Sequence, residues 1–156
     1  MDIRPKSRKI PFELREGKIR IVLTRPEKFS VELNGGIEYA LHLFANPLER
    51  WRPEPDGKDV IYFAPGVHHI GDYEIPSGKT VYLAGGAYVY GKLITEKDSE
   101  NIRIFGRGIL DGRDNERGGL RTVELQFTRD AYLEGITIVD APNWTCRVFG
   151  LSLIHI

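Results

Sequence analysis

The stretch IRIFGRGILDG, residues 102–112, decides the fold. An apolar run ends at Gly106, Gly108 follows one residue later, and Asp111 and Gly112 close the stretch. A dinucleotide-binding turn requires the pattern G-x-G-x-x-G at the start of a helix, whose N-terminus meets the pyrophosphate. Here Asp111 stands where the third glycine would be, its carboxylate would repel a phosphate, and no helical period follows. The glycines therefore mark something other than a phosphate-binding turn.

The same pattern occurs elsewhere in the chain. Each copy has a short apolar strand, a kink that contains glycine, and a second short strand that ends in a turn. The other copies are VIYFAPGVHHIG (60–71), TVYLAGGAYVYG (80–91) and DAYLEGITIVDA (130–141). Strands that repeat every roughly 20 to 25 residues without intervening helices are typical of a parallel β-solenoid, in which each strand stacks on its equivalent one turn away.

The alignment of these copies predicts which residues face inward. Ile61, Val81 and Ile102 align at spacings of 20 and 21 residues. The next step is 29 residues long and includes an added strand at 122–127. Two ladders of inward apolar residues are expected. The first contains Leu83, Ile104 and Leu133, and the second contains Val89, either Ile109 or Leu110, and Ile138.

The first fifty residues follow a different pattern. Alternation of apolar and polar residues predicts strands at 18–24, 28–33 and 37–44. Asn34-Gly35 lies between the last two and predicts a tight hairpin, because both residues tolerate positive φ. The fold class is therefore all-β. The expected domains are a small β-sandwich at 1–50, a proline-containing linker at 51–59, the start of a right-handed parallel β-helix at 60–150, and a non-native tail at 151–156.

The composition excludes some classes of partner. Of the 156 residues, 41% are hydrophobic and 28% are charged, and the formal net charge is zero. We therefore expect no nucleic-acid partner and no membrane partner. No apolar run approaches the roughly 20 residues that span a bilayer, and no signal peptide is recognisable. Cys146 is the only cysteine, so it is expected to be a small buried apolar residue and not a nucleophile.

Several of these segments carry a resemblance to a known group of enzymes. They are VIYFAPGVHHIG, SGKTVYLAGGAYVYGKL, NIRIFGRGILDGR and YLEGITIVDAPNWT. Together they resemble the right-handed parallel β-helix glycoside hydrolases of the polygalacturonase type (glycoside hydrolase family 28) and the related dextranase-like family 49, within the pectin lyase-like superfamily. Bacterial members commonly begin with a small β-sandwich, and the resemblance covers residues 1–150.

The resemblance implies hydrolysis of a polysaccharide by paired aspartates, one as general acid and one as base for water. This inverting arrangement needs carboxyl groups about 6.5–9.5 Å apart. The catalytic motifs of these families follow the equivalent of APNWT (141–145), and no Asp-Asp, Gly-His-Gly or Arg-x-Lys occurs after Trp144. We therefore expect an N-terminal fragment that contains no catalytic residue and has no hydrolytic activity of its own.

Further expectations concern the parent protein. It is expected to act on a polysaccharide or oligosaccharide without a metal or cofactor, to be a monomer at full length, and to fit an extracellular or periplasmic location. Two alternatives stay open. One is a non-catalytic β-helix that binds carbohydrate or serves as a structural shaft. The other is a polysaccharide lyase on the same fold, which would use a calcium site and a basic residue.

Some single residues invite a functional interpretation, but the sequence favours a structural one. His68 and His69 are adjacent on a strand, so they face opposite sides and cannot chelate one metal together. Asp111 is expected to bond its own turn. No second carboxylate is expected beside it, because Asp114 and Glu116 lie in the following loop.

Arginines and aromatic residues also recur in this part of the chain. The arginines could receive an anionic sugar, but a solvated surface with neighbouring acidic residues is expected. These arginines are Arg103, Arg107, Arg113, Arg117, Arg121 and Arg129. Trp144 could stack on a sugar and is expected to be a buried packing anchor. The tyrosines expected to be outward or stacked strand residues are Tyr82, Tyr88, Tyr90 and Tyr132.

The last six residues, LSLIHI (151–156), interrupt the alternation that precedes them. They match the in-frame translation of an adapter used in preparing sequencing libraries. The native sequence is therefore expected to end at Gly150.

Overall fold

The computed structural model describes residues 1–115, 121–150 and 152–155. Residues 153–155 are described by their backbone only. The chain divides into two compact units, Met1–Arg50 and Trp51–Ile156. Among the described residues, regular structure is β-strand apart from a 3₁₀ turn at Lys6–Arg8. The predicted all-β fold class is confirmed. No helix in the described part of the chain is long and apolar enough to cross a membrane.

The first unit contains small antiparallel sheets. In one sheet β4 lies between β1 and β5, and in the other β2 pairs with β3. The strand bounds are β1 Asp2–Arg4, β2 Phe12–Arg15, β3 Lys18–Ile21, β4 Glu27–Glu32 and β5 Leu41–Ala45. Two of the predicted strands, at 18–24 and 28–33, correspond to β3 and β4. The third, predicted at 37–44, corresponds to β5, which begins four residues later than predicted.

The connection between β4 and β5 explains that difference. Asn34 and Gly35 both have positive φ, 56° and 73°, and the amide of Gly36 donates to the Leu33 carbonyl at 3.3 Å, so the predicted tight turn is present. The pairing of β4 with β5 does not begin at this turn, because the pair nearest to it is Val31 with Leu41. A second turn lies between the tight turn and β5. The hairpin is therefore longer than the two-residue loop that the sequence predicts.

The second unit is a parallel β-solenoid of about four turns, as predicted. One sheet has the order β16-β13-β10-β8-β6, and in the other β9 pairs with β7 on one side and with β11 and β12 on the other, followed by β14 and β15. The bounds are β6 Val60–Phe63, β7 Gly66–Ile75, β8 Thr80–Leu83, β9 Ala87–Thr95, β10 Glu100–Gly106, β11 Ile109–Asp111, β12 Val123–Gln126, β13 Arg129–Glu134, β14 Thr137–Val139, β15 Cys146–Phe149 and β16 Ser152–His155.

The first inward ladder has a different register from the predicted one. Ile104 pairs with Val81 and Leu133, while Leu83 pairs with Gly106. All three predicted residues are buried, but the step from the second copy to the third is 23 residues and not 21. The turns before β8 and β10 are equally long, but β10 begins three residues before its pairing with β8, and these added residues displace the alignment.

The second ladder is confirmed, with Leu110 and not Ile109 at the inward position. Leu110 pairs with Val89 on one side and with Ile138 on the other. Val89 and Leu110 are fully buried, and Ile138 packs against the same core cluster. Burial of these side chains, at about 25 cal/mol per Å² of apolar surface, is the main source of stability for the stack.

Gly106 makes the corner that the opening stretch predicts. Its φ is 131°, a conformation that side chains rarely adopt, and a Cβ placed on it would lie 2.0 Å from the Leu83 carbonyl oxygen. That oxygen accepts hydrogen bonds from the amides of Arg107 at 2.9 Å and Gly108 at 3.0 Å. The missing side chain therefore allows the backbones of neighbouring turns to approach and bond at the corner.

The outer face of the β6-β8-β10-β13 sheet carries stacked aromatic rings, which confirms the outward or stacked placement of the tyrosines. Tyr82 contacts Tyr62 with ring centroids 5.2 Å apart and Phe105 at the same distance, and Phe105 also contacts Tyr132. Trp51 packs on Phe105 at 5.1 Å. On the other sheet, Tyr88 and Tyr90 contact each other in the same way.

Two loops leave the solenoid from one sheet. Strand β9 is continuous, but two strands of the next turn, β11 and β12, pair with it. Asp111 of β11 pairs with Tyr90, and Val123 of β12 pairs with Leu93. Residues 112–122 form the connection between those two strands. In the following turn, residues 140–145 connect β14 to β15 in the same way. These loops position the candidate site.

Strand β16 continues the first sheet, with Ser152 paired to Arg129 and Ile154 paired to Ala131. Residues 151 and 156 lie outside the described residues. The expectation about the origin of residues 151–156 concerns the gene and not the fold, so it stays a prediction.

Candidate functional site

An open cavity of about 510 Å³, lined by several polar side chains, lies where the 112–122 connection begins. One wall comes from β7 and β9, through His69, Asp72, Tyr90 and Lys92, together with two glycines. The other wall comes from Asp114 and Asn115. The Asn115 amide donates to the Gly91 carbonyl at 3.3 Å, which fastens the start of the loop to the floor of the cavity.

A buried lysine lies in that floor. The Lys92 side chain is only 4% exposed, and its Nζ lies 2.7 Å from Oδ2 of Asp72, which is 70% exposed. A buried ammonium needs a partner because its desolvation is costly. Asp72 supplies that partner while its exposed side chain lines the cavity. Asp72 is 20 residues before Lys92, the same spacing that places Ile61 beside Val81, so the repeat contains the signal for this pair.

The two histidines lie on opposite faces, as predicted. His68 is beside Val89 on the inner ladder, and its Nε2 lies 2.8 Å from the Ala64 carbonyl oxygen. His69 faces outward and stacks on Tyr90, with ring centroids 4.7 Å apart and an interplanar angle of 9°. Its Nδ1 lies 3.6 Å from Oδ2 of Asp114. Within the described residues, no group of three or more His, Cys, Asp or Glu side chains could hold a metal ion.

Asp111 is a fully buried carboxylate at the end of β11. Its Oδ1 accepts from the Arg113 amide at 2.9 Å, which confirms the predicted bond to its own turn. Its Oδ2 accepts from the Tyr88 hydroxyl at 2.6 Å and from the Arg113 guanidinium at 2.8 Å. The same guanidinium donates to Asp140 at 3.0 Å. The expectation that no second carboxylate lies near Asp111 is therefore wrong: Asp140 comes from the next turn, which the loop sequence could not reveal.

The environment of Asp111 favours its ionised form. Burial is the largest influence and opposes ionisation, but the Tyr88 hydroxyl, the Arg113 amide and the guanidinium together lower the pKa of Asp111 below its ordinary value. The hydrogen bond to Asp111 raises the pKa of Tyr88 in turn. A carboxylate that is ionised, buried and bonded on both oxygens is a poor proton donor and is shielded from substrate.

The spacing of Asp111 and Asp140 also differs from that of an inverting pair. One guanidinium nitrogen, Nη2 of Arg113, lies 2.8 Å from Asp111 and 3.0 Å from Asp140. The bridging guanidinium occupies the space between the two carboxylates that an inverting pair, about 6.5–9.5 Å apart, leaves for a water. Their chemistry is that of an ionic lock between turns, which the three residues Asp111, Arg113 and Asp140 form.

Other arginines of this region have acidic neighbours, as expected, but the side chains of Arg107 and Arg121 are only 20% and 21% exposed and so are not solvated surface residues. The closest pair is Arg121 with Glu124, at 2.7 Å. Arg107 lies 3.9 Å from Glu134, and Arg129 lies 3.7 Å from Glu100. Arg117 and Glu116 lie outside the described residues.

Trp144 is 63% exposed, so the prediction that it is a buried anchor is wrong. Its carbonyl accepts a hydrogen bond from the Thr122 amide at 3.2 Å, so its backbone is held against the preceding turn while its side chain is exposed to solvent. Cys146 follows at the start of β15 and packs against the core, as predicted. Burial raises the pKa of the Cys146 thiol, which lowers the fraction of reactive thiolate.

Comparison with known proteins adds no family assignment. No family model matches the chain, and the search of curated proteins finds no match. The fold itself stands as a parallel β-solenoid of about four turns.

Proposed function

We propose that the protein to which these turns belong is a polysaccharide-degrading glycoside hydrolase of the polygalacturonase-like type, acting by inverting hydrolysis with paired aspartates. The observation that carries the proposal is the cavity beside β7 and β9, where polar side chains of these two strands meet Asp114 and Asn115. Such a cavity can receive the hydroxyls of a sugar. The resemblance of the corner stretches to that group of enzymes supports the same proposal.

Within this proposal the described turns supply the scaffold and contacts to sugar. The ionic lock fixes the bases of the connections 112–122 and 140–145, because Asp111 and Arg113 flank the start of one and Asp140 starts the other. Residues held at the bases of these connections can contact a substrate at a smaller ordering cost. The paired aspartates are proposed to lie outside the described turns, since Asp111 is enclosed and bonded on both oxygens.

A non-catalytic carbohydrate-binding β-helix is the second candidate. It is favoured by the pairing of the carboxylates at the site, since Asp72 contacts Lys92 and Asp140 contacts Arg113. Carboxylates in this state accept hydrogen bonds from hydroxyls but do not transfer protons readily.

The test is to recover the gene around residues 1–150, express its full product, and assay it on acidic and neutral polysaccharides. Hydrolysis releases reducing ends without ultraviolet-absorbing unsaturated sugars, whereas a lyase produces both. The 156-residue chain is the matched control and is expected to be inactive. Release of reducing ends alone supports the proposal. Binding without cleavage by the full product would favour the second candidate, and unsaturated products would favour a lyase.

A further inference from the structure

The cavity beside β7 and β9 has the dimensions of a small-ligand site. Its volume of about 510 Å³ lies within the range of about 300–1,000 Å³ that is usual for such sites. It is open to solvent beside His69 and Asp72, whose side chains are 68% and 70% exposed. The cavity can therefore admit a ring of sugar size from the surface.

The polar groups of the cavity match the hydroxyls of a sugar. Asp72 and Asp114 present carboxylate oxygens, which accept charge-assisted hydrogen bonds from hydroxyl groups. The Asn115 amide on the opposite wall supplies both donor and acceptor atoms. The flat outer ring of His69, held by its stacking on Tyr90, offers an apolar surface to the C–H face of a sugar.

The charges of the cavity disfavour an acidic sugar. Among the described lining residues there is one cation, Lys92, and it is paired with Asp72 at 2.7 Å. Asp114 adds a second negative charge. The nearby guanidinium of Arg113 bridges Asp111 and Asp140. Among these described residues, a uronate carboxylate would thus meet like charge while each cation already has a carboxylate partner, and such juxtaposition is costly.

From these observations we infer that the cavity binds a neutral sugar unit and discriminates against a uronate. This rests on the proposed function, because it names the substrate class for the same site. Asp72 has two roles in it: it accepts a sugar hydroxyl and it neutralises Lys92. Asp114 accepts a sugar hydroxyl but does not neutralise Lys92.

The experiment is an NMR titration of the 156-residue chain with neutral gluco- and galacto-oligosaccharides and with oligogalacturonates of equal length. Neutral sugars are expected to shift the amides of His69, Tyr90 and Lys92, and oligogalacturonates are expected to bind at least about tenfold more weakly. Asp114→Asn removes a charged acceptor on an exposed side chain, so neutral-sugar binding should weaken about tenfold. Glu74→Gln is the matched control, because Glu74 lies exposed on the same strand outside the cavity, and it should leave binding unchanged.

A second variant tests the charge argument independently. Asp72→Asn leaves the Lys92 ammonium without its carboxylate, so affinity for oligogalacturonate should rise about tenfold while neutral-sugar affinity falls. An unchanged spectrum away from the cavity verifies that the variant is folded. Failure of Asp72→Asn to improve oligogalacturonate binding would refute the role assigned to the Lys92 pair.

The remaining outcomes separate this inference from the proposed function. Tighter binding of oligogalacturonate by the unaltered chain overturns the neutral-sugar assignment and leaves polysaccharide hydrolysis standing. Shifts located only outside the cavity overturn the assignment of the site. No binding of any sugar overturns the inference, and the proposed function is then decided by the cleavage assay on the full gene product.

Discussion

Replacement of Gly106 by alanine tests the corner of the solenoid. The new Cβ would lie 2.0 Å from the Leu83 carbonyl oxygen and 2.8 Å from its carbon, which are backbone atoms of the preceding turn and cannot rotate away. The residue would also keep a φ of 131°, which only glycine adopts readily. Either the corner must open or neighbouring turns must separate.

The cost follows from the contacts that are lost. The strained conformation costs about 1–3 kcal/mol. Displacement of the Leu83 carbonyl weakens the two hydrogen bonds from Arg107 and Gly108, each of about 1 kcal/mol net. The free energy of unfolding should therefore fall by about 3–5 kcal/mol. With a urea m-value of about 1–3 kcal/mol per M, the midpoint should fall by roughly 1 M or more.

The assay is urea unfolding of the 156-residue chain, followed by circular dichroism and tryptophan fluorescence. Gly85→Ala is the matched control, since a Cβ on Gly85 meets only the Arg107 Cβ at 3.8 Å and its φ is outside the left-handed range. It should change the free energy of unfolding by less than about 0.5 kcal/mol or raise it slightly. Equal effects of the two substitutions would refute the reasoning.

Other predictions concern the core and the buried ionisable groups. Leu110→Ala removes a fully buried side chain and should cost about 2–5 kcal/mol by urea unfolding, whereas Val67→Ala at a 65% exposed position should cost less than about 0.5 kcal/mol. Asp111→Asn should cost about 1–3 kcal/mol at neutral pH, because the bond to Arg113 loses its charge. Since the folded pKa of Asp111 lies below its usual 3.8, this stabilisation is complete above that pH and disappears as the pH falls through the folded value. The difference between wild type and variant should therefore shrink in acid, and a pH-independent difference would contradict the ionised state. Cys146 should react with iodoacetamide more slowly than a free thiol until urea unfolds the chain, as measured by mass spectrometry.

The repeat made the solenoid predictable, but not its full register. Spacing narrowed the partner of Val89 to Ile109 or Leu110, because the corner glycines mark equivalent positions in successive turns, and the structure shows Leu110. It misplaced Leu83 against Ile104 because β10 begins three residues before its pairing with β8, and apolar residues two apart on a strand face the same side. A register error of two residues therefore leaves the burial prediction correct while the partners change.

The candidate site was less predictable, because its side chains point outward and meet across turns. Nothing in the local sequence of Asp111 indicates that Asp140 shares its guanidinium. The exposure of Trp144 was also missed, because the sequence does not show that no neighbouring turn covers its side chain. The Asp72–Lys92 pair could have been found, because the 20-residue spacing of the first two turns applies to outward residues as well.

The most direct test of the central claim is a set of nuclear Overhauser contacts between neighbouring turns of the 156-residue chain. Parallel strands about 4.8 Å apart bring the backbone protons of paired residues close together. The account predicts contacts of Ile104 with the strand position of Val81 on one side and that of Leu133 on the other. Contacts of Ile102 with Val81, or an antiparallel pattern between these strands, would contradict it.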